Sequence, residues 1–270
     1  MDDLLSNDLS WRNVRAHPRL PPGSYATDIF DQHALSWCGC CYLVAVVQAV
    51  EDRGHILLGG ERHRIDMQTV LDHMREDELG PTWNACHGGY PEHVVACMAS
   101  GQCPLRTSVC RRWVGHAMPT HRTPLSDAPY HVMGHDELVC AADVARELVA
   151  HGPVVLDVCA QTLKAVDAQG RVTDMEERTL NHAVSVIGWK HVGGVLCWIV
   201  RNSWGKHRVP AALPDDLGCV TLHGNACEVQ WEYWVGDPKD PGFVYLPVAH
   251  PGLHGTHPSP WLAPRVVRSQ

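Results

Sequence analysis

No stretch of eighteen apolar residues occurs in the chain, so no segment is long enough to span a bilayer as a helix. Positive charge is scarce as well: Lys and Arg number 22 against 30 Asp and Glu, a formal net charge of -8. Binding to nucleic-acid phosphates needs a concentrated basic face. The short clusters Arg62-His63-Arg64 and Arg111-Arg112 read as solvated surface, so nucleic acid is excluded as the main partner. The start, Met1 to Asp8, is acidic and lacks the apolar core of a secretory signal. There is no internal repeat. Cys38-Gly39-Cys40-Cys41 is formally a C-x-x-C, yet no second C-x-x-C or C-x-x-H pair exists to complete a tetrahedral zinc site. No metal and no organic cofactor are expected.

What the chain does have is ordinary bulk and unusual cysteine. Its 270 residues are 45% hydrophobic and 19% charged, enough for one large or two small cores in a soluble globular protein. Twelve cysteines are many for a cytosolic chain, whereas a secreted domain would pair them. Three distant segments combine into one chemistry: Gln32 leading into Cys38-Gly39-Cys40-Cys41-Tyr42, then Asn181-His182-Ala183, then Arg201-Asn202-Ser203-Trp204-Gly205. A thiol becomes a strong nucleophile as the thiolate, which an imidazolium neighbour and a helix N-terminus both favour. Cys41 opens the apolar run Tyr42 to Val50, which fits a buried helix whose first turn holds the sulfur among unpaired N–H groups. His182 is its partner, and Asn202, twenty residues on, fixes the tautomer.

Cys38-Gly39-Cys40-Cys41-Tyr42 resembles the C-G-[SA]-C-[WY] signature of papain-family cysteine peptidases, with Cys40 where Ser or Ala is usual. The insertion His33-Ala34-Leu35 between Gln32 and Cys41 is similar to the Gln-His-Ile-Pro loop of the cathepsin X (cathepsin Z) branch. Further agreement lies in Trp11-Arg12-Asn13-Val14, Cys86-His87-Gly88-Gly89, Trp198 to Trp204 and Gly236-Asp237-Pro238, covering roughly residues 8 to 240. The resemblance implies an α+β, papain-like two-lobe fold: a helical left lobe, an antiparallel β-barrel-like right lobe, and the active site in the cleft between them. It implies catalysis by Cys41, His182 and Asn202, with Gln32 and the Cys41 amide stabilising the oxyanion. Substrate contacts are expected from His33, Trp37, Gly88, Gly89 and Trp204. Gly89 would let a substrate backbone pair in extended form, His33 would bind a free α-carboxylate, and Trp204 would cover the Asn202–His182 hydrogen bond. The implied activity is a cysteine peptidase of carboxypeptidase type acting on peptide or protein substrates. An endopeptidase, a catalytically silent papain-like binding module and a Cys/His-rich metal-binding structural protein are the alternatives.

Cys38 should bridge to Cys86. His73 stands where relatives place another cysteine, which would leave Cys103 or Cys110 without its usual partner. Setting Cys41 aside leaves an odd number of cysteines, so at least one is free or joins two chains as a homodimer. Family members are typically made with a signal peptide and an inhibitory prosegment. The resemblance therefore suggests a lysosomal or extracellular setting, with either a start at the mature enzyme or another route of control. After Gly205 the family usually continues with a second Trp-Gly, whereas Lys206-His207-Arg208-Val209-Pro210 follows here.

The expected organisation is a short extension over 1–10, a peptidase domain over 11–240 with lobes at about 25–130 and 131–240, and a C-terminal extension over 241–270. Helices are expected after Cys41, from Met67 to Met74 and from Glu137 to His151, where Gly152-Pro153 stops the last. Strands are expected at Val154 to Val158, Ala183 to Trp189, Leu196 to Val200 and Gly218 to Leu222. The tail from Pro241, with six prolines and three glycines, reads as an irregular wrapping or disordered extension.

Overall fold

The computed structural model describes residues 5–74, 85–108, 111–118, 125–206, 236–237, 239–253 and 260–269. The expected strand at 218–222, Cys110, Pro238 and residues 207–210 lie outside them. After strand β1 (Leu9–Ser10) come helices α1 (Cys41–Leu57), α2 (Met67–His73) and α3 (Pro91–Ala99). Then follow β2 (Tyr130–Glu137), α4 (Ala141–His151), β3 (Val154–Val158), α5 (Ala160–Lys164), β4 (His182–Val192) and β5 (Val195–Arg201). The chain ends in β6 (Gly236–Asp237), β7 (Asp240–Pro241), β8 (Phe243–Pro247) and β9 (Trp261–Arg268). Among the described residues, no helix is long and apolar enough to cross a membrane.

Helix α1 is rich in valine, a modest helix former, so burial rather than propensity holds it. Every residue from Tyr42 to His55 is buried. Shorter α2 relies on its cap: the Asp66 carboxylate accepts the Thr69 N–H at 3.1 Å. Helix α3 begins with Pro91, where a missing N–H costs nothing. One apolar core gathers α1, α2 and α3; a second lies between α4 and the sheet.

The main sheet runs β2-β9-β3-β4-β5-β8, all neighbours antiparallel, with β1 added on β4. This corrects two expectations. The tail is not irregular throughout, because β8 pairs with β5 and β9 inserts between β2 and β3. Its prolines fit: Pro247 ends β8, and Pro264 lies opposite His135 beside the bulge of β2. The expected helix from Glu137 is also shorter, starting at Ala141, because Glu137 pairs with Leu262 of β9. Cys103 bridges Cys97, brought near by the turn that ends α3, where the Cys103 N–H donates to the Cys97 carbonyl.

The two lobes meet where α1 lies on the sheet, and charged side chains are sealed into that contact. Arg201 of β5 and Asp52 of α1 approach to 2.8 Å with neither side chain exposed. Burial pushes the Asp52 carboxyl up, and the Arg201 guanidinium and the Thr27 N–H oppose that shift. Arg201 also donates to Ser185 Oγ and to the Thr27 carbonyl. Arg53 donates to the Pro153 and Pro264 carbonyls of the sheet lobe. Removing one partner of a buried pair strands the other charge. Asp52→Asn should therefore cost about 3–5 kcal/mol of folding stability in chemical denaturation; a loss below about 1 kcal/mol would mean that water reaches Arg201.

Candidate active site

Cys41 is the first residue of α1, preceded by the capping residue Cys40. Its sulfur lies within hydrogen-bond reach of the backbone N–H groups of Ala183 and Tyr42. Ala183 follows His182 at the head of β4, so the helix that Cys41 opens and the strand that His182 opens touch at this point. His182 Nε2 is 2.9 Å from Asn202 Oδ1. That oxygen can only accept and also takes the Ser203 N–H at 2.8 Å, so Nε2 carries the proton and Nδ1 is left for exchange with the thiol. Trp204 stacks on the imidazole, with centroids 4.7 Å apart and planes at 27°, and shields the Asn202 bond from water.

Burial pushes the Cys41 thiol up and, against the Asn202 hydrogen bond, the His182 imidazole down to about 4. It therefore opposes either ion alone. The two ions formed together attract each other, while N–H groups on the sulfur and Asn202 on the ring favour the charged forms. Cys40 is different. It is buried and its thiol is raised beyond the range of ordinary thiols by burial and by the neighbouring Cys41, so it behaves as an apolar filler.

Gln32 is nearly inaccessible, and its side chain is held at both ends. Nε2 donates to the Cys38 carbonyl at 2.7 Å, and Oε1 accepts the Ser203 hydroxyl at 2.6 Å. One N–H remains to meet an oxyanion beside the Cys41 amide. The Cys38–Cys86 disulfide ties this loop to the segment bearing Gly88 and Gly89. Gly88 has φ +107° and open space around it. At Gly89 a Cβ would stand 2.6 Å from the Tyr42 ring, so packing against α1 already demands glycine there.

The inserted loop brings His33 and Trp37 into parallel contact, with centroids 6.3 Å apart and planes at 19°. Cys38 N–H donates to His33 Nδ1 at 3.4 Å, which puts the neutral ring's proton on Nε2. Burial lowers the His33 ring below its usual value, opposed by Asp31. His33 is close enough for its charge to depress His182. Two residues of this site were not singled out from sequence. Ser203 orients both Gln32 and Asn202, and Asp157 of β3 carries a carboxyl pushed up to about 7, first by burial and then by Glu92. The signal for Asp157 is the lone acid in the apolar strand Val154-Val155-Leu156-Asp157-Val158.

Similarity to known proteins follows this geometry. The profile of the papain family cysteine protease matches residues 11–209. Cathepsin Z of Onchocerca volvulus is 24% identical over 207 residues, covering 72% of this chain and 64% of its own length. Cysteine proteinase 2 of Entamoeba histolytica is 30% identical over 236 residues, covering 82% of this chain and 66% of its own. The chain thus spans just under two thirds of the length of these relatives. Two solved structures share the fold. Digestive procathepsin L 3 of the Tenebrio molitor larval midgut has a TM-score of 0.65 at 16% identity, over 96% of this chain and 70% of that one. The bromelain protease from Ananas comosus, bound to an inhibitor, has a TM-score of 0.62 at 17% identity, over 95% and 97%.

The nucleophile can be tested by mass spectrometry after treatment with an epoxide-type thiol reagent. Cys41→Ala should lose labelling and Cys40→Ser should keep it. Label found on Cys40 would move the nucleophile by one residue. Ser203→Ala should lower kcat by about ten-fold or more with little change in KM, because Gln32 loses its orientation toward the oxyanion; an unchanged kcat would show that the Cys38 carbonyl alone positions the amide.

Proposed function

The chain belongs to the papain family of cysteine proteases, and from that premise we propose that it is a carboxypeptidase working through Cys41, His182, Asn202 and Gln32. What supports the peptidase reading is Cys41 at the start of α1 with its sulfur in reach of the Ala183 N–H, and His182, the residue before Ala183, whose Nε2–H is tied to Asn202. The Cys41 thiolate attacks the C-terminal peptide carbonyl. Gln32 Nε2–H and the Cys41 amide hold the resulting oxyanion. His182 then gives its Nδ1 proton to the departing amino acid, leaving a thioester on Cys41. Water, deprotonated by the same nitrogen, attacks the thioester and releases the shortened peptide, returning the thiol and imidazole.

Carboxypeptidase action is supported by His33. Its charge acts on His182, its neutral ring carries the proton on Nε2, and the ring is steadied by Trp37 and the Cys38 N–H. A free α-carboxylate there would accept that N–H and draw a second proton onto the ring. The sign of the pH effect follows from the lowered ring. Free His33 is cationic only below a value under the ordinary 6.5, and a bound carboxylate raises it. The preference for a free C-terminus should be largest at mildly acidic pH and shrink as pH rises.

The test is mass spectrometry of digests of matched peptides with free and amidated C-termini. Amidation should weaken trimming by roughly 1.5–3 kcal/mol, the worth of a charge-assisted hydrogen bond. Deleting His33-Ala34-Leu35 should shift cleavage from the end of the peptide to internal bonds. Wild type cutting amidated peptides internally as fast as it trims free ones would make it an endopeptidase.

A further inference from the structure

The carboxyl of Asp157 is out of place as a structural group. In β3 it stands directly opposite Ala183 of β4, and opposite residues of an antiparallel pair share a face. Val155 and Ala183 on that face belong to the core around α1, whereas Leu156 and Val158 on the other belong to the core of the sheet lobe. Asp157 therefore projects toward the lobe junction at the end where α1 begins, and its charge is felt at the Cys41 sulfur. The charge that raises it further is Glu92, the second residue of α3, three residues beyond Gly89. One carboxyl comes from each lobe. Among the described residues no cation and no side-chain hydrogen bond compensates Asp157. An acid so placed costs stability, and such groups concentrate at functional positions.

Resting on the peptidase reading above, we infer that Asp157, helped by Glu92, binds a lysine or arginine side chain of the substrate on the acyl side of the scissile bond. The side is set by the two charges of the cleft. His33 acts on His182, which serves the leaving group, while Asp157 acts on the nucleophile and on Glu92, three residues beyond Gly89. A cationic side chain entering there would find the carboxyls of Asp157 and Glu92. It would also restore the ionised form that burial and Glu92 now oppose.

The experiment uses the full chain and peptides bearing Arg, norleucine or Glu at each of the two positions before the scissile bond, with free and amidated C-termini. Wild type should favour Arg over norleucine by about ten-fold or more in kcat/KM, and Glu should be the poorest. Asp157→Asn should bring the Arg to norleucine ratio to about one, Asp157→Glu should keep most of it, and Glu92→Gln should reduce it less than Asp157→Asn. Labelling rates of Cys41 by peptidyl epoxides carrying Arg or norleucine give the same ratio without turnover, and a norleucine reagent that labels Asp157→Asn verifies its fold. Equal rates for Arg and norleucine in wild type, or a preference that survives in Asp157→Asn, overturns the inference. Where the peptides are cut reports separately on carboxypeptidase action, so either reading can fail alone.

Discussion

The buried contact between Asp52 and Arg201 sets the position of everything that reacts. Asp52 is eleven residues along the helix whose first residue is Cys41, and Arg201 immediately precedes Asn202, Ser203 and Trp204. At 1.5 Å per residue, about 16 Å of stiff helix links the ion pair to the sulfur. A rigid rod anchored at one end by a 2.8 Å charge contact has little freedom to slide along the sheet. Cys41 and the segment Asn202-Ser203-Trp204 are thereby held in one register, although they belong to different lobes. Arg53 reinforces this by donating to the Pro153 and Pro264 carbonyls, which also brings the C-terminal strand into the same joint.

The chemistry at the cleft depends on opposing pressures rather than on one strong interaction. Burial disfavours a lone thiolate and a lone imidazolium, so the charged pair exists only as a pair, with Trp204 keeping water from its hydrogen bond to Asn202. Ser203 has an outsized part for a small side chain. Its N–H fixes the Asn202 oxygen and its hydroxyl fixes the Gln32 oxygen, so one residue aligns both the His182 partner and the Gln32 amide. In the proposed reading, His33 acts on His182 while Asp157 and Glu92 act near Cys41. A peptide with a free C-terminus and a basic residue before the cut would meet complementary charge at both ends.

Much of the site was legible because its chemistry is written in short contiguous segments. Cys41 at a helix start, His182 at a strand head and Asn202 before Trp204 each sit in a local pattern, and the helix of Cys41 to Leu57 followed from one apolar run. What escaped was whatever depended on a distant partner. Strand Tyr130–Glu137 carries no clear alternation and is a strand because Trp261–Arg268 lies beside it. The proline-rich tail looked irregular because its prolines sit at a strand end and beside a bulge, places that sequence alone does not mark. The bridge of Cys103 to Cys97 is local in sequence but depends on the turn after α3 folding back on itself.

By itself the sequence marked out the candidate reactive groups, the helical first half and the strand-rich second half, since these rest on residue type and local pattern. Only the tertiary structure decided that glycine at 89 answers to the Tyr42 ring, that Ser203 serves Gln32 and Asn202 together, and that Asp157 faces the junction beside the thiol. The physical reason is that a side chain's identity fixes what it can donate, accept or ionise. Its environment, which sets direction, burial and charge, is supplied by elements far away in the chain.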